Sequence, residues 1–121
     1  MTAVAPERQA MGFALRDLRP WEGLVDAVRE GERLGFGRLF IPEIPGGRDA
    51  VATLSALADV AGGIGLATGI LPMTARGPLV TAMAATTLQE RSGGRFVLGL
   101  GTGPAAPGAL ARLGDLVAVL R

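Results

Sequence analysis

Glycine occupies every second position at the end of SGGRFVLGLGTG, residues 92–103, placing Gly99, Gly101 and Gly103 in a comb behind a short apolar run. Such a comb can cradle a phosphate, end a strand, or form the rim of an active site. A dinucleotide fingerprint needs G-x-G-x-x-G between a strand and a helix, and its third glycine position is Pro104 here. A Walker loop needs a Gly-Lys pair, and the chain has no lysine. Two readings survive. Either the strand narrows and turns at Gly99 and Gly101, or these residues leave room for a planar cofactor or its phosphate. In parallel α/β folds ligands sit at the C-terminal ends of the strands.

The residues that are missing narrow the chemistry further. There is no cysteine among the 121 residues, so disulfides, thiolate metal sites and cysteine nucleophiles are excluded. Nor is there any histidine, which removes the usual metal ligand, the usual general base and every Ser-His-Asp arrangement. Twelve arginines face 11 acids, for a net charge of +1 without a polybasic run, so no nucleic-acid partner is expected. Residues 1–10 lack the apolar core of a signal peptide. No uninterrupted apolar run reaches the roughly 18 residues of a membrane span. The expectation is a soluble, cytoplasmic protein that acts on a small molecule.

The elements that would carry the comb follow from periodicity. Residues 1–10 read as a flexible tail ahead of one domain over 11–121. MGFALR (11–16) is a candidate strand. Pro20 suits a helix start, and Trp21, Leu24, Val25 and Val28 mark one buried helical face, stopped at Gly35. RLFIP (38–42) reads as a strand buried on both faces. Asp49 is a helix cap ahead of Val51, Leu54, Leu57, Ala58 and Ala61. IGLATGILP (64–72) is a third strand whose glycines suggest a bulge or a close approach to the backbone. Pro78 opens a third helix with Leu79, Ala82, Met83 and Thr86 on one face, and Ser92, Gly93 and Gly94 stop it. RFVLGLG (95–101) is the fourth strand. Leu110, Leu113, Val117 and Leu120 mark a last helix. Four strand–helix units imply parallel pairing. They amount to half of a TIM (β/α)8 barrel, with a small open α/β sheet as the alternative from pattern alone.

Four stretches in this order resemble the luciferase-like monooxygenase family of flavin- and coenzyme F-420-dependent (β/α)8 enzymes: residues 21–43 around ERLGFGRLFIPE, residues 49–72, residues 75–95 with Arg76 and Pro78, and SGGRFVLGLGTG. The Gly-Ile form of the third strand is similar to the F-420 branch. The resemblance implies an oxidoreductase or monooxygenase using F-420 or FMN. It also implies a non-prolyl cis peptide at Gly69–Ile70, buttressing the cofactor ring.

By the same resemblance Glu43 is the candidate catalytic carboxylate at the barrel mouth, against the plain alternative of a loop acid paired with Arg48. Thr68, Gly69, Ile70, Gly101, Thr102 and Gly103 are the candidate cofactor contacts. Arg76 is the candidate substrate contact, unless it serves the carbonyls at its helix start. Ser92 and Arg95 read as structural. Family members carry eight units and this sequence shows four. A half barrel exposes two sheet edges and its inner face, so the expected partner is a second copy or a complementing half-barrel chain. A non-catalytic binding module remains the alternative function.

Overall fold

The computed structural model describes residues 11–16, 20–102 and 109–120. The expected tail, residues 1–10, lies outside the described residues. Four parallel strands form the main sheet in the order β1 (Gly12–Ala14), β2 (Arg38–Ile41), β3 (Gly65–Thr68) and β5 (Phe96–Val97). A second ladder pairs β4 (Leu71–Pro72) with β6 (Leu100–Gly101), also in parallel. The connecting helices are α1 (Trp21–Arg33), α2 (Ala50–Val60), α3 (Pro78–Arg91) and α4 (Ala109–Leu120).

The strand order advances without reversal, whereas a doubly wound sheet must reverse once at its switch point. Crossovers of one hand therefore lay their helices on one side of the sheet. The register makes that side visible. Phe13, Leu39, Leu66 and Phe96 form one row across the sheet, and Ala14, Phe40, Ala67 and Val97 form the next, on the opposite face. The first row packs on Leu24 and Val28 of α1, Leu54 and Leu57 of α2 and Leu88 of α3. The second row meets no helix in that core. The architecture is thus α/β and singly wound, a partial barrel rather than a doubly wound sheet.

Local chemistry sets each boundary. Pro20 precedes α1, and Gly35 at φ 86° follows its end. Asp49 caps α2, its carboxylate accepting the Ala52 N–H at 2.8 Å. Ser92 ends α3 and is buried; its hydroxyl accepts the Arg95 N–H at 3.1 Å, as its structural reading required. Arg95 in turn donates to the carbonyls of Ser92 and Ile64, both at 2.7 Å. Below the sheet, Glu32 Oε1 accepts from Gly62 N at 2.5 Å and from Gly63 N at 3.2 Å, tying α1 to the turn that opens β3.

Three expectations need correction. RLFIP is not buried on both faces: Leu39 and Ile41 are buried, while Arg38 and Phe40 are only half-buried, because no helix of the core packs on the second face of β2. The third and fourth strands are each broken, at Gly69–Ile70 and at Leu98–Gly99, so their tips form the separate β4–β6 ladder. In α3 the core side is Thr81, Ala82, Ala85 and Leu88. Leu79, Met83 and Thr86 point the other way and are exposed.

Candidate active site

The C-terminal tips of β2, β3 and β6 converge where the candidate residues were expected. The Gly69–Ile70 peptide bond is cis. On one side of it Gly69 N donates to Ile41 O at 2.9 Å; on the other, Ile70 O accepts from Glu43 N at 3.2 Å. Ile70 is left 39% exposed, an unusual state for an isoleucine at the tip of a buried strand.

Close approach within the chain accounts for Gly99 and Gly101 of the comb. A Cβ on Gly99 would collide with the Thr68 carbonyl oxygen, and a Cβ on Gly101 would lie 2.5 Å from Ile70 Cδ1. The absent side chains let the fourth strand ride against the kinked third one. Gly69 is crowded in the same way by Phe40, whose Cβ would stand 3.0 Å from a Cβ placed there. Thr68 is 1% exposed, and its hydroxyl donates to Gly99 O at 2.8 Å while accepting from Gly99 N at 2.9 Å. Its proton is committed to the neighbouring strand, so it holds the tips together from below. Thr102 is exposed at the end of β6. Gly103 lies outside the described residues.

Glu43 follows β2, and its Oε1 accepts from Ala50 N at 3.2 Å and from Arg76 Nη2 at 2.9 Å. The cation beside it is therefore Arg76, not Arg48, which lies over the Trp21 ring at 5.7 Å. Arg76 also bonds the Asp49 carboxylate. Its guanidinium joins two acids and leaves the helix-start carbonyls to other donors. The Glu43 and Arg76 side chains are each 16% exposed, so water screens the pair only in part. A cleft of about 330 Å³ opens beside this cluster, between the loop after β2, including Ile44 and Asp49, and Pro72 and Ala75. The Arg76 bridge to Asp49 was not legible in sequence, because a contact across 27 residues leaves no local pattern. Among the described residues no cluster of acids could hold a metal ion, and no helix is long and apolar enough to cross a membrane.

An exposed apolar side chain among glycine-thinned strand tips, with a carboxylate–guanidinium pair at its edge, is the mouth of a parallel α/β barrel. The family model described as luciferase-like monooxygenase matches residues 1–114, and the chain belongs to that family. A 5,10-methylenetetrahydromethanopterin reductase of Methanolobus tindarius is 39% identical over 75 residues, 62% of this chain and 23% of the relative. A protein of Mycobacterium tuberculosis named as a coenzyme F420-dependent oxidoreductase is 37% identical over 87 residues, 71% of this chain and 25% of the relative. The chain thus spans about a quarter of the length of the curated relatives it matches. Among solved structures, the coenzyme F420-dependent tetrahydromethanopterin reductase of Methanopyrus kandleri superposes with a TM-score of 0.71 at 26% identity, over 85% of this chain and 29% of that one. The oxygenating constituent of 3,6-diketocamphane monooxygenase from Pseudomonas putida, solved with FMN, has the same fold: TM-score 0.67, 19% identity, 83% of this chain and 31% of that one.

Proposed function

We propose that the chain forms half of the cofactor site of a luciferase-like oxidoreductase or monooxygenase that uses coenzyme F-420 or FMN. The observation that carries this reading is Ile70, an exposed apolar face at the strand tips that lies against the bare backbone of Gly101. That geometry fits one wall of a flat ring. The names of the relatives support F-420, and the structure from Pseudomonas putida supports FMN. Either cofactor supplies the hydride or oxygen chemistry itself, and the protein positions it.

The roles of the chain's own residues follow. Ile70 is the apolar wall, and Gly69 lets the backbone pass close to Phe40. Thr68 fixes the height of that wall through Gly99. Thr102 and Gly103, which follow β6, are assigned to the anionic part of the cofactor, because consecutive amides favour negative charge, while Gly101 lines the ring side beside Ile70. Glu43 is the catalytic carboxylate. Among the described residues both hydrogen bonds of its carboxylate end on Oε1, which leaves Oε2 to accept a hydrogen bond from substrate. Arg76 orients Glu43 and presents its remaining N–H groups to substrate. The row Ala14–Phe40–Ala67–Val97, in which only Ala67 is buried, is the barrel's inner face, to be closed by a second copy or a complementing half-barrel chain. A non-catalytic binding module is the second reading, favoured by the mutual satisfaction of Glu43 and Arg76.

One sample tests all of this. Purified chain is titrated with FMN and with F-420, following absorbance and fluorescence, while light scattering gives its mass. The proposal expects saturable binding of one of them, weakened at least tenfold by Ile70→Asp. Binding of neither cofactor at any mass ends the reading; binding without turnover selects the module.

A further inference from the structure

The inner face of the sheet carries positive charge with no carboxylate beside it. Two residues nearer the strand starts than the row Ala14–Phe40–Ala67–Val97, Gly12, Arg38 and Gly65 stand side by side. Arg95, one residue before β5, continues that row. A step of two along a strand returns to the same face, so these residues share the inner one. The Arg38 guanidinium lies over Gly65, where an added Cβ would stand 2.9 Å from its Cζ. Among the described residues only its Nη1 is bonded, donating to Arg95 O at 3.1 Å and to Leu66 O at 3.4 Å. Arg95 donates likewise to carbonyls, those of Ser92 and Ile64. Both arginines are half-buried, and neither forms an ion pair among the described residues.

The strands themselves offer no counter-charge. The segments GFA, RLFI, GLAT, LP, FV and LG contain no acid. Glu43 and Asp49 lie past the opposite ends of the strands, with Arg76. Glu32, at the start of β3, belongs to α1 and is taken by the amides of Gly62 and Gly63. We propose that the half barrel closing this face is not a second copy of the chain. It is a half of different sequence that carries an aspartate or glutamate on its inward face, near its strand starts and opposite Arg38. This inference rests on the reading of the chain as half of a barrel.

Symmetry and charge together select the occupant. In an eight-stranded barrel the second and sixth strands face one another across a packed interior. If a second copy supplied the last four strands, the sixth would repeat β2, and Arg38 would face Arg38. Closure removes water, and like charges repel far more strongly in a low-dielectric interior than in solution. A charge enclosed without a partner is destabilising in its own right, and the carbonyls at 3.1 and 3.4 Å bring only partial charges to it. A carboxylate in the same place reverses the sign of the interaction. The Nε and Nη2 edge of Arg38, unbonded among the described residues, is the fork that a carboxylate fits with two hydrogen bonds. The same arginine thus rejects a second copy and anchors an acid-bearing half.

A copy of the chain with the charge reversed, Arg38→Glu, serves as the acid-bearing half. The chain has no cysteine, so Val97→Cys, placed in every sample, puts the only thiol on the inner face. An equimolar mix of the Arg38 and Arg38→Glu chains is expected to associate at least tenfold more tightly than either alone in sedimentation equilibrium. Maleimide labelling of the thiol should slow in the mix and not in the separate chains. Arg38→Met keeps the apolar stem without the charge. It should self-associate at least tenfold more tightly than the Arg38 chain, and it replaces Arg38→Glu if circular dichroism shows that variant unfolded. An Arg38 chain that associates with itself as tightly as the mix, with its thiol protected, overturns the inference and leaves the half-barrel reading standing. A thiol equally open in the mix and in Arg38→Met also overturns it. If FMN and F-420 then fail to bind as well, the half-barrel reading falls with it.

Discussion

Thr68 and Gly99 exchange two hydrogen bonds through one hydroxyl, donating at 2.8 Å to the Gly99 carbonyl and accepting at 2.9 Å from its N–H. This pair spans the gap where both the third and the fourth strand leave the main sheet. It does there what a ladder of backbone bonds does elsewhere. Thr68→Val keeps the shape and removes both bonds. Gly99 O retains the Leu71 N–H at 2.8 Å, but Gly99 N loses its partner. The expected cost is about 1–3 kcal/mol, read from denaturant unfolding, and a change near zero would show that the hydroxyl does not hold the tips.

The comb separates into two kinds of glycine. Gly99→Ala drives a methyl into the Thr68 backbone carbonyl, which cannot step aside. Gly101→Ala meets the far end of the Ile70 side chain, which can rotate. Overpacking costs about 1–3 kcal/mol and sometimes more. The first variant is expected at or above the top of that range and the second near its bottom. Equal melting temperatures for the two would contradict the assignment.

Arg76 is held by Glu43 and Asp49 together. Arg76→Met leaves two carboxylates near one another without a cation. Its effect lies between the small values of exposed pairs and the larger ones of buried pairs, about 1–3 kcal/mol. Arg76→Lys should recover less than half of that, because an ammonium lacks the planar fork. Full recovery by lysine would reduce the bridge to a matter of charge alone.

Glu32 gathers the N–H groups of Gly62, Gly63 and Ile64 on one oxygen. Glu32→Gln keeps an acceptor with less charge, and Glu32→Ala removes it. Amide exchange at residues 62–64 should quicken in the order wild type, Gln, Ala. Unchanged protection in the alanine variant would show that the turn stands without the carboxylate.

Glu30 and Arg33 form an exposed pair on α1, with bonds of 2.8 and 2.6 Å. Hydrogen bonding from Arg33, and secondarily its charge, holds the Glu30 carboxyl below the usual carboxylate range. A folded value below the unfolded one gives stability that is complete above the unfolded value and disappears as pH falls through the folded value. Arg33→Met should move the Glu30 titration upward in a carboxyl NMR experiment, and 1 M salt should shrink the difference. A titration that does not move would falsify the coupling.

Much of the fold was legible because it rests on local rules. Pro20, Asp49 and Pro78 mark helix starts, Gly35 and Ser92-Gly93-Gly94 mark stops, and alternating strands and helices dictate parallel pairing. The broken third strand was foreshadowed by its glycines, and the position of the cis bond by family resemblance. Periodicity failed on α3, because both of its faces are apolar and a pattern of spacing cannot say which faces the sheet. It failed in part on β2, because an apolar run looks the same whether one face is covered or two.

The amino-acid sequence alone determined the order of elements, the family, and the exclusion of cysteine and histidine chemistry, since these depend on residue type and neighbours a few positions away. Tertiary structure decided that Gly99 yields to a carbonyl, that Arg76 rather than Arg48 meets Glu43, and that Leu79 and Met83 face outward. Each of these joins atoms that lie far apart along the chain or depends on which side of a helix the sheet occupies. Spacing in one dimension does not encode that until the backbone has folded.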